Sequence, residues 1–262
     1  MKPFDIFLVA APKDYGKLPY VIKSIKDHVH GYENMYLTTP KELPKEFYIP
    51  ISNYPIHYRT DNVVLDFDPY NLDFRKNWVF QQLLKLFQNE TKNEWYFVCD
   101  TDVVLLKDLP LWEGECPIWY YGLEQYNEPY FRFSQKMFGY GRIASHTFIG
   151  DLFFFNKKLV SEMLNSGGYD KERFLDKCAL ITDRYCHPSE AELYMNYLSK
   201  VGMPYTLKKI KTYTKPKIFK DPIKQAWTAD EIESVINKGR TMDVDAVAIH
   251  NWNDNCHNLW GA

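Results

Sequence analysis

Apolar residues in this chain fall into short dense runs separated by amphipathic stretches, a pattern of buried strands alternating with helices. Phe4 to Ala10 is the first run and predicts a strand. After the loop Ala11-Pro-Lys-Asp-Tyr-Gly16, the residues Leu18, Val21, Ile22, Ile25 and Val29 recur at helical spacing. Pro19 fits the first turn of that helix. Met35 to Leu37 and Val63 to Leu65 predict a second and a third strand. A long helix is predicted next, capped by Asn71, reaching Gln88 and burying Phe80, Leu83, Leu84 and Phe87. Strand, loop, helix and strand in this order open a parallel sheet. The expected fold class is therefore α/β, with a mixed, mostly parallel central sheet flanked by helices.

Trp95 to Cys99 predicts another strand buried on both faces. It runs straight into Asp100-Thr101-Asp102, and a second apolar run, Val103 to Leu106, follows. Beyond Lys107 aromatic residues crowd a segment without clear period, including Trp112, Trp119, Tyr120, Tyr121, Tyr130, Phe131 and Phe138. Ser145 to Phe155 reads as a turn into a buried strand flanked by His146 and Asp151, and a helix runs from Lys157 to Leu164. Ser189 and Glu192 have capping-box spacing at the start of a helix reaching Leu198. A strand over 205–210, a lysine-rich surface loop over 208–224 and a helix over 229–238 come next. Finally Val247-Ala-Ile249 ends on His250. No repeat or linker divides the chain, so residues 1–262 are expected to form one domain whose halves share one sheet.

The chemistry concentrates at Asp100-Thr101-Asp102. Two carboxylates where a buried strand ends are costly unless paired, hydrogen-bonded or bound to a metal, and in open α/β sheets that end is where ligands sit. Asp66-Phe-Asp68 and Asp243-Val-Asp245 share the spacing, but the first leads into a Pro-Tyr-Asn turn and the second reads as a solvated approach to a strand. A polar turn between two strands is the plain alternative for Asp100 and Asp102. The formal charge of −2 and pI near 6.4 supply no field for nucleic acid, and no basic block occurs. Cys99, Cys116, Cys178, Cys186 and Cys256 are an odd set without metal spacing, which points to free thiols and a reducing, cytoplasmic setting. No apolar run approaches the ~20 residues of a membrane span. Twenty tyrosines and 17% aromatic content point to surfaces that bind flat faces such as those of sugars or bases.

Three further residues draw attention. Glu190, left over from the capping box, is expected at the rim of the helix start and kept ionised by the helix dipole, a position for a base. Arg75 and Lys76 sit in the first turn of the long helix, where that dipole disfavours cations, so they are either a mild surface defect or a phosphate clamp.

With Asp100-Thr101-Asp102, Glu190 and His250 in this order, the chain resembles the nucleotide-sugar glycosyltransferases of the GT-A fold, a Rossmann-like single domain. It is most similar in pattern to the small ones that build surface glycans in bacteria and large DNA viruses. The resemblance also rests on the opening strand-loop-helix and on Asn77-Trp78-Val-Phe-Gln81-Gln82-Leu-Leu-Lys85. It implies that about residues 1–107 bind the nucleotide sugar and about 108–262 bind the acceptor. It implies Asp102 and His250 as ligands of Mn²⁺ or Mg²⁺, with Asp100 joining that site through ribose or a metal-bound water. Val9, Ala10, Ala11, Lys13 and Thr101 would line the nucleotide. The implied reaction moves a sugar, from a UDP-sugar by preference, to a glycan hydroxyl. Glu190, with Asp151 beside the cleft, would serve catalysis in an inverting enzyme. A retaining transferase, a metal-dependent nucleotidyltransferase and a non-catalytic carbohydrate-binding protein are the competing readings.

Overall fold

The computed structural model describes residues 2–72, 74–122, 126–219 and 227–253, with backbone alone at 218, 219, 252 and 253. Strand β1 (Phe4–Val9) is buried throughout. A 3-10 turn leads to α1 (Leu18–His28), β2 (Tyr32–Thr39), α2 (Lys45–Tyr48), β3 (Ile56–Thr60), the single turn α3 (Asp61–Val64) and α4 (Lys76–Phe87). β4 (Trp95–Cys99) and β5 (Val103–Leu105) flank the paired aspartates. The chain continues through β6 (Trp112–Glu113), β7 (Cys116–Tyr121), α5 (Glu128–Phe138), β8 (Leu152–Asn156), α6 (Lys157–Ser166), α7 (Lys171–Ile181) and α8 (Glu190–Val201). It closes with β9 (Thr206–Lys209), β10 (Thr212–Thr214), β11 (Lys217–Phe219), α9 (Ala229–Arg240), β12 (Ala246–Ala248) and β13 (Asn251–Asn253).

The central sheet has the order β3-β2-β1-β4-β8. Its first four strands are parallel, and β8 adds an antiparallel edge. Side chains alternate across the strands, so Phe4, Ile6 and Leu8 pack with α1 and α9 on one face. Phe7, Val9, Tyr96 and Val98 pack with α4 to α8 on the other. The fold is thus α/β, with a mainly parallel sheet between helical layers.

Several expectations are corrected. The second half adds β8 to the central sheet, and β12 pairs with β5 in a further three-stranded sheet ordered β10-β12-β5. The third strand is β3, while Val63 and Val64 lie in the turn α3 and Leu65 caps its end. β3 is a half-exposed edge strand with alternating exposure, so it lacks the apolar run that marks its neighbours. Asn71 ends a 3-10 turn capped by Asp68, and α4 starts later, after Arg75 at φ 44°. The aromatic segment contains a helix, α5, opened by Pro129 and closed by Gly139 at φ 72°. Its rings Tyr130, Phe131, Phe133 and Phe138 share one buried face with Met137, a helical period inside the aromatic segment. The lysine-rich stretch is not a plain loop, since it holds β10 and β11; residues 220–226 lie outside the described residues.

Cys99, Cys116, Cys178 and Cys186 are free thiols, and Cys256 lies outside the described residues. Among the described residues no helix is long and apolar enough to cross a membrane.

Candidate active site

The strand order reverses between β1, followed outward by β2 and β3, and β4 on its other side. Ligand crevices of doubly wound sheets form at that reversal, beyond the C-terminal ends of the strands. Here the two strand ends are tied together, because the Thr101 hydroxyl donates to the Val9 carbonyl at 3.2 Å. A cavity of about 660 Å³ opens beside them, walled by Val9, Ala10, Ala11, Lys13 and Lys76. Thr38, Phe67 and Phe80 were not expected there and complete much of its wall. Lys76 holds its ammonium 3.9 Å from the centre of the Tyr70 ring. Arg75 parts from Lys76: its guanidinium lies 4.3 Å over Trp78, off the cavity lining.

Asp102 and His250 meet because of strand pairing. β5 and β12 are antiparallel, with Val103 opposite Ala248. The residue before β5 therefore faces the end of β12, and the Ile249 amide donates to the Asp102 carbonyl at 2.7 Å. The side chains follow: His250 Nδ1 lies 3.0 Å from Asp102 Oδ2. Burial alone would lower the His250 pKa, but the hydrogen bond and charge of Asp102 push it up to about 9. Burial alone would raise the Asp102 pKa; His250, then Lys17 and Lys13, hold its carboxyl well below the usual range. Lys17 is itself buried and paired with Asp14 at 2.7 Å. The loop bearing these lysines is fixed to the His250 strand, since the Asn251 amide donates to the Lys13 carbonyl at 3.1 Å.

Asp100 faces elsewhere. Its Oδ1 lies 2.6 Å from Lys85 Nζ, and Glu190 Oε1 lies 3.2 Å from the same ammonium. Lys85 is buried on the inner face of α4. Burial would lower its pKa, but Asp100 and Glu190 raise it instead. Gln82, one turn earlier, donates its amide to Glu190. This corrects the rim position expected for Glu190: the residue is 2% exposed, and burial raises its pKa despite Lys85. A sequence pattern that places a residue at N1 of a helix does not say which face of that turn is covered. The capping box is also incomplete. Ser189 accepts from the Glu192 amide, but the Glu192 carboxylate accepts from the Thr147 hydroxyl and Phe148 amide, each at 2.8 Å.

Asp151 stands beside this cluster, its carbonyl accepting from the Asp100 amide at 2.9 Å. It is partly exposed, and burial followed by the charge of Asp100 raises its pKa to about 7. His146 lies instead against Tyr121, ring centres 6.1 Å apart. Three lysines of the 208–224 stretch are engaged on the surface: Lys208 with Glu113, Lys211 with Asp243 and Lys217 with Glu231.

Among the described residues no three His, Cys, Asp or Glu side chains form a ready-made metal cage. Asp102 and His250 nevertheless offer an oxygen and a nitrogen donor at adjacent points. That pair fits a small divalent ion of the kind held by one or two protein groups plus substrate phosphates and water. Lys85 and Gln82 are the site residues that sequence reasoning left unassigned. Their signal was a lysine and a glutamine at i and i+3 on the inner side of an otherwise apolar helix.

The sequence matches no protein-family model and no curated protein. A solved structure of an active-site mutant of LgtC superposes with a TM-score of 0.49 at 15% identity, covering 94% of this chain and 86% of that one.

Proposed function

We propose that the chain is a GT-A-type glycosyltransferase that uses a divalent cation to take a sugar from a nucleoside-diphosphate sugar, UDP-linked by preference, to a glycan hydroxyl. The observation that carries this reading is the meeting of Asp102 and His250, 3.0 Å apart, at the reversal of strand order; neither lines the cavity of about 660 Å³, but their neighbours Thr101 and Asn251 are hydrogen-bonded to its wall residues Val9 and Lys13. In this reading residues 1–107 and 108–262 are the donor and acceptor halves of one domain. Val9 to Ala11 lie against the nucleotide, and Lys13 and Lys76 face its phosphates. Asp102 and His250 hold Mn²⁺ or Mg²⁺, which would neutralise charge on the departing diphosphate.

The closed position of Glu190 favours a second reading of the stereochemistry. A base must reach the proton it removes, and Glu190 is sealed against Lys85 and Gln82. That suits a retaining course, which needs no dedicated base; for an inverting course the accessible carboxylate is Asp151. Proton NMR of the anomeric configuration of the product separates the two.

A thermal-shift screen of nucleotide sugars with and without Mn²⁺ tests the assignment as a whole, because a ligand that binds only the native state raises its apparent stability. Stabilisation by a nucleotide sugar only when Mn²⁺ is present supports it. Stabilisation by nucleoside triphosphates with pyrophosphate release would replace it with a nucleotidyltransferase, and sugar binding without nucleotide or turnover with a carbohydrate-binding protein.

A further inference from the structure

The site contains a buried cation of its own, and its placement bears on how a metal would be held. Lys85 Nζ is 2.6 Å from Asp100 Oδ1 and 3.2 Å from Glu190 Oε1. The Lys85 and Glu190 side chains are each 2% exposed, whereas Asp100 is 23% exposed. The two carboxylates therefore differ. Glu190 is fixed, further held by Gln82, and gives Lys85 a permanent counter-charge. Asp100 is the more exposed of the two, and the charges of Asp102 and His250 act on it as well as that of Lys85. An ammonium this deep must keep a partner, because an uncompensated buried charge is strongly unfavourable. With Glu190 present, Lys85 has that partner whether or not Asp100 stays.

Resting on the metal-dependent reading above, we propose that Lys85 is a positioning residue that withholds Asp100 from the cation. The resting site then consists of Asp102 and His250 alone and binds metal weakly. A cation is held firmly only with a nucleotide diphosphate, whose phosphate oxygens complete the coordination. Glu190 acts through Lys85 as its fixed counter-charge, with no direct part in removing an acceptor proton. Of the two aspartates, Asp102 alone is a standing ligand.

The test is Mn²⁺ binding to the full chain, read from the free Mn²⁺ electron paramagnetic resonance signal, without nucleotide and with UDP. Asp100→Asn leaves Lys85 paired to Glu190 and is expected to keep its fold. Without nucleotide it should change Mn²⁺ affinity by less than about threefold, well under the tenfold that 1.4 kcal/mol represents. Lys85→Gln frees Asp100 and should tighten nucleotide-free Mn²⁺ binding about tenfold, within the ~10–100-fold by which groups around metal ligands alter affinity. Adding Asp100→Asn to Lys85→Gln should erase that gain, and UDP should tighten Mn²⁺ binding in the wild type more than in Lys85→Gln. A loss of tenfold or more in Asp100→Asn alone overturns the proposal, as does an Lys85→Gln protein that is folded and binds Mn²⁺ no more tightly. Wild-type binding that ignores His250→Ala would instead reject the metal site itself, a distinct outcome.

Discussion

Lys85 and Glu190 form an ion pair at 3.2 Å in which both side chains are 2% exposed. An exposed pair contributes about 0–1 kcal/mol, whereas removing one partner of a buried pair costs about 3–5 kcal/mol because a charge is left uncompensated. Lys85→Met, which leaves both Asp100 and Glu190 without their cation, is expected to lose stability in the upper part of that range. Glu190→Gln, which leaves Lys85 its contact with Asp100, should cost much less. Urea denaturation of the two variants measures the difference; equal losses would show that Asp100 gives Lys85 no support.

His187 sits among Phe74, Trp78 and Tyr130, with Nδ1 3.1 Å from the Asp183 carbonyl. Burial, assisted by the charge of Arg75, lowers its pKa below 6.5. The folded state therefore binds this proton less readily than the unfolded chain does. Its contribution to stability is full above the unfolded value and is lost as pH falls through the folded one. Thermal unfolding should show a falling melting temperature as pH drops below about 6.5. His187→Gln should flatten that part of the profile, and an unchanged slope would contradict the assignment.

Gly239 lies in α9 where the helix crosses β12, the strand that ends next to His250. A methyl group there would meet Val247 Cγ2 at 2.3 Å and Leu106 Cδ1 at 3.0 Å. Gly to Ala inside a helix ordinarily gains about 0.5–1 kcal/mol. Overpacking of a filled core costs about 1–3 kcal/mol, so the clash outweighs the gain. Gly239→Ala is expected to melt earlier than wild type and to weaken Mn²⁺-dependent donor binding by shifting β12. A melting temperature above wild type would show that α9 yields freely.

How much was readable before the structure differs from element to element. β1, α1 and β4 were legible because a buried strand and an amphipathic helix impose dense and periodic apolar patterns on their own residues. β3 was not, because an edge strand has one wet face and needs no apolar run. Asp102 and His250 were legible as side chains at strand ends, yet their contact depends on the β5–β12 ladder, a pairing between distant segments that no local pattern encodes. Glu190 was misread for the same reason. Its local setting at a helix start says exposed and ionised, and only the packing of α8 on α4 brings Lys85 over it.

Asp102 and His250 lie 148 residues apart in sequence, yet their side chains meet at 3.0 Å. The direct measurement is calorimetric titration of the stabilising nucleotide sugar, with and without Mn²⁺, into wild type, Asp102→Asn and His250→Ala. Both variants should lose Mn²⁺-dependent affinity by at least the ~10–100-fold that disturbing even the surroundings of metal ligands costs. Wild-type affinity in either variant, with Mn²⁺ dependence intact, would contradict a metal held between β5 and β12.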